Sequence, residues 1–250
     1  MTEQNDSVKT EVKLPTAAEL LEAGAHFGHR ASAWHPKMKP YIFTSRNNVH
    51  IFDLEKPIKK LGEALEFMKQ TVAQGGVIIF VGVKPAAKAL IGDVAQKLGM
   101  PYVNLRWLGG TITNFKTIAK RINYYRDLER QQAAGEWEKY TKKEKLELQR
   151  KLAKLDRQLS GIRDLNKLPQ AVFISDVKED NIAVREAKIA GIPVVAITDT
   201  NIDPTGIDYI IPANDDAVSS IKKILDIVFE NLKDIKVEVK AEVKAGEEAK

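Results

Sequence analysis

The sequence contains no cysteine among its 250 residues. Disulfide bonds and thiolate metal sites are therefore excluded, which is typical of a cytoplasmic protein. Long apolar runs are lacking as well: the longest, residues 75–83, is far shorter than the roughly 20 residues that a membrane-spanning helix needs. The first residues are polar and lack the apolar centre of a signal peptide, so we expect no secretion signal and no membrane partner.

A strong overall charge is also lacking, because 39 Lys and Arg face 34 Asp and Glu, a net charge of +5. The charges are unevenly distributed. Residues 111–168 hold fifteen Lys and Arg against eight Asp and Glu, an excess of seven positive charges, which leaves the rest of the chain at −2. A basic segment on a nearly neutral body favours polyanionic partners, nucleic acid above all.

Short apolar runs alternate with helical patterns along most of the chain. Residues 77–81 are continuously apolar, as a strand covered on both faces requires. This alternation predicts an α/β fold with right-handed crossovers. The predicted strands are 41–43, 49–53, 77–81, 102–104, 171–174, 194–197 and 209–211. The predicted helices are 15–24, 57–74, 85–98, 115–135, one that begins at Thr141, 181–190 and 217–231.

The alternation is interrupted by a long helical segment. Leucines and one isoleucine after Thr141 repeat at spacings of four and three, the pattern of a heptad seam. Two helices joined near Gly135 predict an antiparallel coiled-coil hairpin with its own core, inserted into the α/β body. We therefore expect a flexible leader (1–14), the first part of the body (15–110), the hairpin (111–168), the second part of the body (169–232) and a disordered tail (233–250).

Residues 25–48 contain no acidic residue but many cations and aromatics. Clustered histidines could bind a metal, but neither cysteine nor a nearby carboxylate accompanies them. A catalytic histidine would need an orienting acid and a nucleophile, and neither is marked. Basic and aromatic side chains in one loop suit RNA, although such a loop could equally pack its aromatics on the body. The candidate RNA-binding residues here are His26, His29, Arg30, Lys37, Lys39 and Arg46.

A second candidate contact site is the junction, residues 104–114, where the body gives way to the helical insertion. Arg106 can form a forked contact with phosphate, and Trp107 can stack on a base or pack in the core. The alternative is a hinge with a buried tryptophan. Asn114 and Lys116 extend the same candidate RNA surface.

An enzyme is the competing interpretation. Gly82 and Lys84 form a strand–glycine–helix turn that could hold a phosphate, although a purely structural turn is the favoured interpretation. Four aspartates follow strands, at the edge where α/β proteins bind ligands, and paired carboxylates there could hold magnesium. They could also simply shape turns, and no nucleophile or nucleotide-binding motif accompanies them. The four are Asp53, Asp176, Asp199 and Asp203.

Several motifs together resemble one family, the bacterial small-subunit ribosomal protein S two. The similarity spans residues 14–230, and the motifs stand in the family's order. They are Leu20-Leu21-Glu22-Ala23-Gly24-Ala25-His26-Phe27-Gly28-His29, Trp34-His35-Pro36-Lys37-Met38, Asn104-Leu105-Arg106-Trp107-Leu108-Gly109-Gly110, Asp199-Thr200-Asn201 with Asp203-Pro204, and Ile211-Pro212-Ala213-Asn214-Asp215-Asp216.

The resemblance implies a flavodoxin-like doubly wound parallel sheet that carries the coiled-coil hairpin. It also implies a structural constituent of the small ribosomal subunit, located in the cytoplasm, with no catalysis and no cofactor. Its implied partners are small-subunit ribosomal RNA near the head–body junction and other small-subunit proteins, including ribosomal protein S one. Lys84 joins the candidate RNA-binding residues, and no metal ligands are assigned.

Overall fold

The computed structural model describes residues 12–235. The rest of the predicted leader and almost all of the predicted tail lie outside these residues. The end of the leader is held in place, because the backbone N–H of Lys13 donates to Asn231 Oδ1 at 2.9 Å and Asn231 Nδ2 donates back to the Lys13 carbonyl at 2.9 Å. Within residues 12–235 no helix combines the length and the apolar character needed to cross a bilayer.

Five parallel strands form the large sheet in the order β5-β4-β6-β7-β8. From β4 the chain crosses to β5 on one side, and from β5 it crosses back over β4 to β6 on the other side. The strand order therefore reverses between β4 and β6. This is the order of flavodoxin-like doubly wound folds. The strands are β4 Ile78–Val81, β5 Tyr102–Val103, β6 Ala171–Ile174, β7 Val194–Thr198 and β8 Tyr209–Pro212.

The large sheet is buried on both faces, which explains its continuously apolar strands. Successive side chains of a strand point to opposite faces, and in β4 Ile78 and Phe80 join one apolar cluster while Ile79 and Val81 join the other. The helices α1 Ala17–Glu22, α2 Glu55–Ala73, α3 Pro85–Lys97 and α7 Val218–Leu232 lie in the first cluster. The helices α4 Phe115–Ala133, α5 Lys142–Leu159 and α6 Asn181–Ile189 lie in the second.

Helices α4 and α5, called here the helical pair, pack against each other. Tyr125 Oη donates to Asp156 Oδ1 across the pair at 2.7 Å, and Thr141 starts α5 with a capping box. The expectation of a separate hairpin core is wrong. Leu155 and Leu159 belong to the same apolar cluster as Val172 and Ile174 of the large sheet, because the base of the pair packs directly on that sheet.

A small antiparallel sheet, β1-β3-β2, lies beside the large one. Its strands are β1 Phe27–Arg30, β2 Ile42–Arg46 and β3 Val49–Phe52. The Asn47-Asn48 turn joins β2 to β3 with φ of 50° and 59°, a left-handed geometry that asparagine tolerates. The predicted strand at 41–43 corresponds to the start of β2, but the expectation of a loop before it is wrong, since β1 pairs along β3 and a 3-10 turn spans Pro36–Tyr41.

Candidate nucleic-acid interface

Five of the predicted RNA-binding cations are exposed and make no ion pair with any residue in the range 12–235. Three lie on or beside the small sheet and two at the junction. Such side chains are free to meet phosphate without breaking an existing contact. Asn114 is exposed beside them, although its Oδ1 accepts a hydrogen bond from Thr117 Oγ1 at 2.8 Å. The five cations are Arg30, Lys39, Arg46, Arg106 and Lys116.

Lys84 was predicted to contact RNA, but its ammonium group lies among three carboxylates of the protein itself. Its ammonium lies 2.9 Å from Asp176 Oδ2, 2.9 Å from Asp215 Oδ1 and 2.7 Å from Asp216 Oδ1. Burial alone would lower the pKa of Lys84, but the hydrogen bonds to these carboxylates outweigh it and raise the pKa above its ordinary value. The geometry therefore argues against Lys84 as an RNA contact, because its charge is already neutralised inside the protein.

Gly82, two residues before Lys84, allows the turn after β4 to pack closely. A Cβ on Gly82 would lie 2.6 Å from Ser175 Oγ and 2.7 Å from Ile91 Cγ1. The turn after β4 is thus closed against β6 and α3, and Lys84 bridges to Asp176 across the point where the strand order reverses. This crevice is where doubly wound proteins bind their ligands, and here the protein's own side chains fill it.

The aspartates that follow strands shape their own loops. Asp176 Oδ1 accepts from the backbone N–H of Lys178 at 2.8 Å, and Asp203 Oδ1 accepts from that of Thr205 at 2.9 Å. Asp53 and Asp199 likewise accept from backbone N–H groups one or two residues further on. Each carboxylate therefore has the turn-forming role that was the alternative to magnesium binding.

Both ring nitrogens of His29 lie close to carboxylates that follow strands of the large sheet. Its Nδ1 lies 3.1 Å from Asp199 Oδ2 and its Nε2 lies 3.4 Å from Asp216 Oδ2. The hydrogen bond with Asp199 outweighs burial and raises the pKa of His29. Carboxylates do accompany this histidine, contrary to the expectation from sequence, because the loops after β7 and β8 bring two. His29, Asp199 and Asp215 each offer one ligand atom within 4.8 Å of the others, so these three could hold a metal ion.

Two further predicted contacts are only partly available. Lys37 Nζ lies 3.2 Å from Asp203 Oδ1 and also donates to the Thr205 hydroxyl. Hydrogen bonds from Thr205 and Lys37 hold the pKa of Asp203 well below its usual range. His26 is half-buried with its ring 4.0 Å from that of Phe27, and burial lowers its pKa, which disfavours the charged form that would pair with phosphate.

Exposed aromatics accompany the cations of the small sheet. Phe43 is 75% exposed on β2, and Trp34 is 37% exposed with its ring centroid 5.5 Å from that of His50. The basic and aromatic composition of residues 25–48 thus reaches the surface, whereas Met38 from the same segment is fully buried.

The junction is built around a residue that the sequence analysis missed, Glu186 of α6. Its carboxylate accepts hydrogen bonds from the Trp107 indole and from backbone N–H groups of the junction. Trp107 is only 5% exposed, so the packing role foreseen for it is confirmed. The sequence does contain a pattern that could have identified Glu186. It lies on the same helix face as Ala183 and Ala187, and an acid without a partner is unusual on such a buried face.

Together, the fold and this surface define an α/β protein whose crevice at the sheet edge is filled by internal ion pairs. Five exposed cations without an ion pair among residues 12–235 lie outside that crevice. The family model described as "Ribosomal protein S2" matches residues 20–234. The chain belongs to this family and is a component of the small ribosomal subunit, a cytoplasmic ribonucleoprotein that acts in translation.

Two relatives agree with this assignment. The "Small ribosomal subunit protein uS2" of Fusobacterium nucleatum subsp. nucleatum is 51% identical over 211 residues, which are 84% of this chain and 85% of the relative. The protein of the same name from Roseiflexus sp. (strain RS-1) is 50% identical over 212 residues, 85% of this chain and 81% of the relative. The family consists of structural ribosomal proteins and not of enzymes, so the enzyme interpretation is not favoured.

Proposed function

We propose that this chain is a structural constituent of the small ribosomal subunit that binds small-subunit ribosomal RNA near the head–body junction. The observation that carries the proposal is the set of five exposed cations without ion pairs among residues 12–235. Three of them accompany exposed aromatics on the small sheet, and two flank the junction. Cations position a protein on RNA through phosphate, and aromatics add stacking on unpaired bases.

The helical pair is the second part of the proposed RNA surface. We propose that α4 and α5 form a coiled-coil arm, since Leu148, Leu152 and Leu155 follow the heptad spacing and all pack in the shared apolar cluster. The segment 111–168 has an excess of seven positive charges, and most of these side chains lie on the exposed faces of the two helices. The divisions at residues 110 and 168 are proposed as the ends of this arm.

We also propose that the chain helps to recruit another ribosomal protein, ribosomal protein S one. This part rests on the family motifs in residues 20–38 and 199–216. The structure brings these two segments together, because the backbone N–H of His35 donates to the Thr200 carbonyl at 2.7 Å and that of His29 to Thr200 Oγ1 at 2.9 Å. No cofactor is proposed.

Sedimentation tests the proposal. In a lysate fractionated on a density gradient at low salt, the protein is expected to travel with small ribosomal subunits. A double variant, Arg106→Ala with Lys116→Ala, should bind purified small-subunit ribosomal RNA more weakly. The matched control is Lys59→Ala with Lys222→Ala, which removes the same charge from exposed positions on α2 and α7. Wild-type protein that stays wholly in the soluble fraction would overturn the proposal.

A further inference from the structure

The junction encloses the carboxylate of Glu186 so completely that both oxygens are saturated. Oε1 accepts from the backbone N–H of Gly110 at 2.7 Å and from Trp107 Nε1 at 3.1 Å. Oε2 accepts from the backbone N–H of Ile112 at 3.0 Å, and from the backbone N–H and the hydroxyl of Thr113, both at 3.1 Å. Five donors from one stretch of seven residues therefore converge on a single side chain.

This carboxylate is buried without a counter-cation. Glu186 is 6% exposed and takes part in no ion pair within the range 12–235. Its charge is stabilised by the N–H dipoles that point at it from the junction. Burial alone would raise the pKa of Glu186, but the hydrogen bonds from Gly110, Thr113, Ile112 and Trp107 outweigh it and lower the pKa below its ordinary value.

The backbone of the junction has the form of an anion-binding nest, in which successive N–H groups point into one concavity. Gly110 allows this shape because its φ of 89° lies in the left-handed region, which other residues rarely adopt. Such nests commonly hold phosphate. Here Glu186 occupies the concavity, so a phosphate of RNA cannot enter it, and contacts with RNA must come from side chains on the outer side of the loop.

Those outer side chains are Arg106 and Lys116, with Asn114 between them; all three are exposed. They flank the enclosed segment 107–113 on both sides, so fixing that segment also fixes the distance between them. A buried carboxylate without a cation is costly, and a glutamine would present an amide N–H₂ to donors that need an acceptor. The arrangement is therefore specific for a carboxylate.

We propose that Glu186 is a positioning residue of the RNA-binding surface: its carboxylate acts as the resident anion of the junction and holds Arg106, Asn114 and Lys116 in register for RNA. The inference rests on the proposed function, because it assigns Glu186 a role in the same RNA site. Glu186 does not touch RNA itself, and it acts only through the loop that it holds.

The decisive comparison is between Glu186→Gln and Ala187→Gly. Both substitutions lie on the buried face of α6, but only the first removes the resident anion. The second removes a methyl group and destabilises the helix while leaving the carboxylate and its five donors in place. Affinity for purified small-subunit ribosomal RNA is measured beside the melting temperature and the amide exchange of Gly110, Ile112 and Thr113. Glu186→Gln is expected to lose affinity on the order of tenfold, the effect of misplacing one or two contacts. It should also lose protection at the three amides, whereas Ala187→Gly should only melt earlier.

A second variant covers the case in which Glu186→Gln does not fold. Glu186→Ala leaves the nest empty, and added formate, which is a small carboxylate, is expected to raise its melting temperature above that in chloride of equal ionic strength. Ala187→Gly should show no such difference. A wild-type protein that does not bind the RNA would contradict the proposed function. If Glu186→Gln and Ala187→Gly bind RNA with equal affinity, the positioning role alone is contradicted. A melting temperature of Glu186→Ala that formate does not change would contradict it too.

Discussion

At the scale of single residues, Arg106 and Trp107 are neighbours with opposite surroundings. The guanidinium of Arg106 is exposed, and Trp107 is buried with its indole N–H on Glu186. Arg106→Ala is expected to weaken RNA binding and to make the salt dependence of log Kd shallower by about one counterion. Trp107→Ala should instead lower the free energy of unfolding by about 3–5 kcal/mol.

Binding titrations at several salt concentrations and thermal melts separate these two effects. An Arg106→Ala variant with unchanged affinity and salt slope would remove that residue from the RNA site. A Trp107→Ala variant that melts normally but binds poorly would show that the indole stacks on a base rather than packing in the core.

Asp180, at the start of α6, should make stability depend on pH. It is 1% exposed, its Oδ1 has no hydrogen-bond partner, and burial raises its pKa to about 7. Because the folded state then binds this proton more tightly than the unfolded chain, the free energy of unfolding should fall as the pH rises from about 4 to 7. A tenfold difference in proton affinity between the folded and the unfolded state is worth about 1.4 kcal/mol. The free energy of unfolding should therefore fall by about a few kcal/mol over this pH range.

Asp180→Asn removes this titration while keeping an acceptor for the backbone N–H of Val83. The variant should equal the wild type near pH 4 and exceed it in stability at pH 8, as measured by urea unfolding at each pH. Parallel stability curves for the two proteins would show that Asp180 does not titrate in this range.

At the scale of elements, the helical pair is expected to share its stability with the large sheet. Leu155 is buried in the cluster that contains Val172 and Ile174, whereas Leu148, further from the sheet, is half-buried. Leu155→Ala should cost about 2–5 kcal/mol and Leu148→Ala clearly less, because less apolar area is lost. Amide exchange should show that Leu155→Ala loosens β6 as well as α5. Unchanged protection of β6 would indicate that the pair has an independent core.

The elements that sequence predicts well are those whose cause is local. The structure confirms the continuous apolar run of β4. The capping boxes at Thr16 and Thr141 and the Asn47-Asn48 turn also depend only on neighbouring residues. Strand β1 was missed because Phe27-Gly28-His29-Arg30 has no apolar alternation; it forms a strand by pairing with β3.

The candidate site depends far more on contacts between distant parts of the chain. Lys84 looked free in sequence, but its partner Asp215 is 131 residues away. Glu186 meets the junction across more than 70 residues. Local patterns cannot show which charges the fold will bring together, so a predicted cation is exposed and without an ion pair only where no distant carboxylate reaches it.

At the scale of the whole molecule, the large sheet keeps the form of a ligand-binding fold with a closed crevice. Because Lys84 already fills the space between Asp176 and Asp215, nucleotides and sugar phosphates are expected to leave the melting temperature unchanged. A ligand present at a hundred times its Kd would add about 2.7 kcal/mol to stability. A clear upward shift with any of these compounds would show that the crevice opens and would revive the enzyme interpretation.

The spacing of contacts along the chain also sets an order of events during synthesis. Tyr125 and Asp156 are 31 residues apart, Val77 meets Gln170 over 93 residues, and Lys13 meets Asn231 over 218. Short separations close first, because the entropy lost in closing a loop grows with its length. As the chain leaves the ribosome that makes it, the helical pair can form while β4 still awaits β6, and the segment around Lys13 must wait for α7 before it can dock.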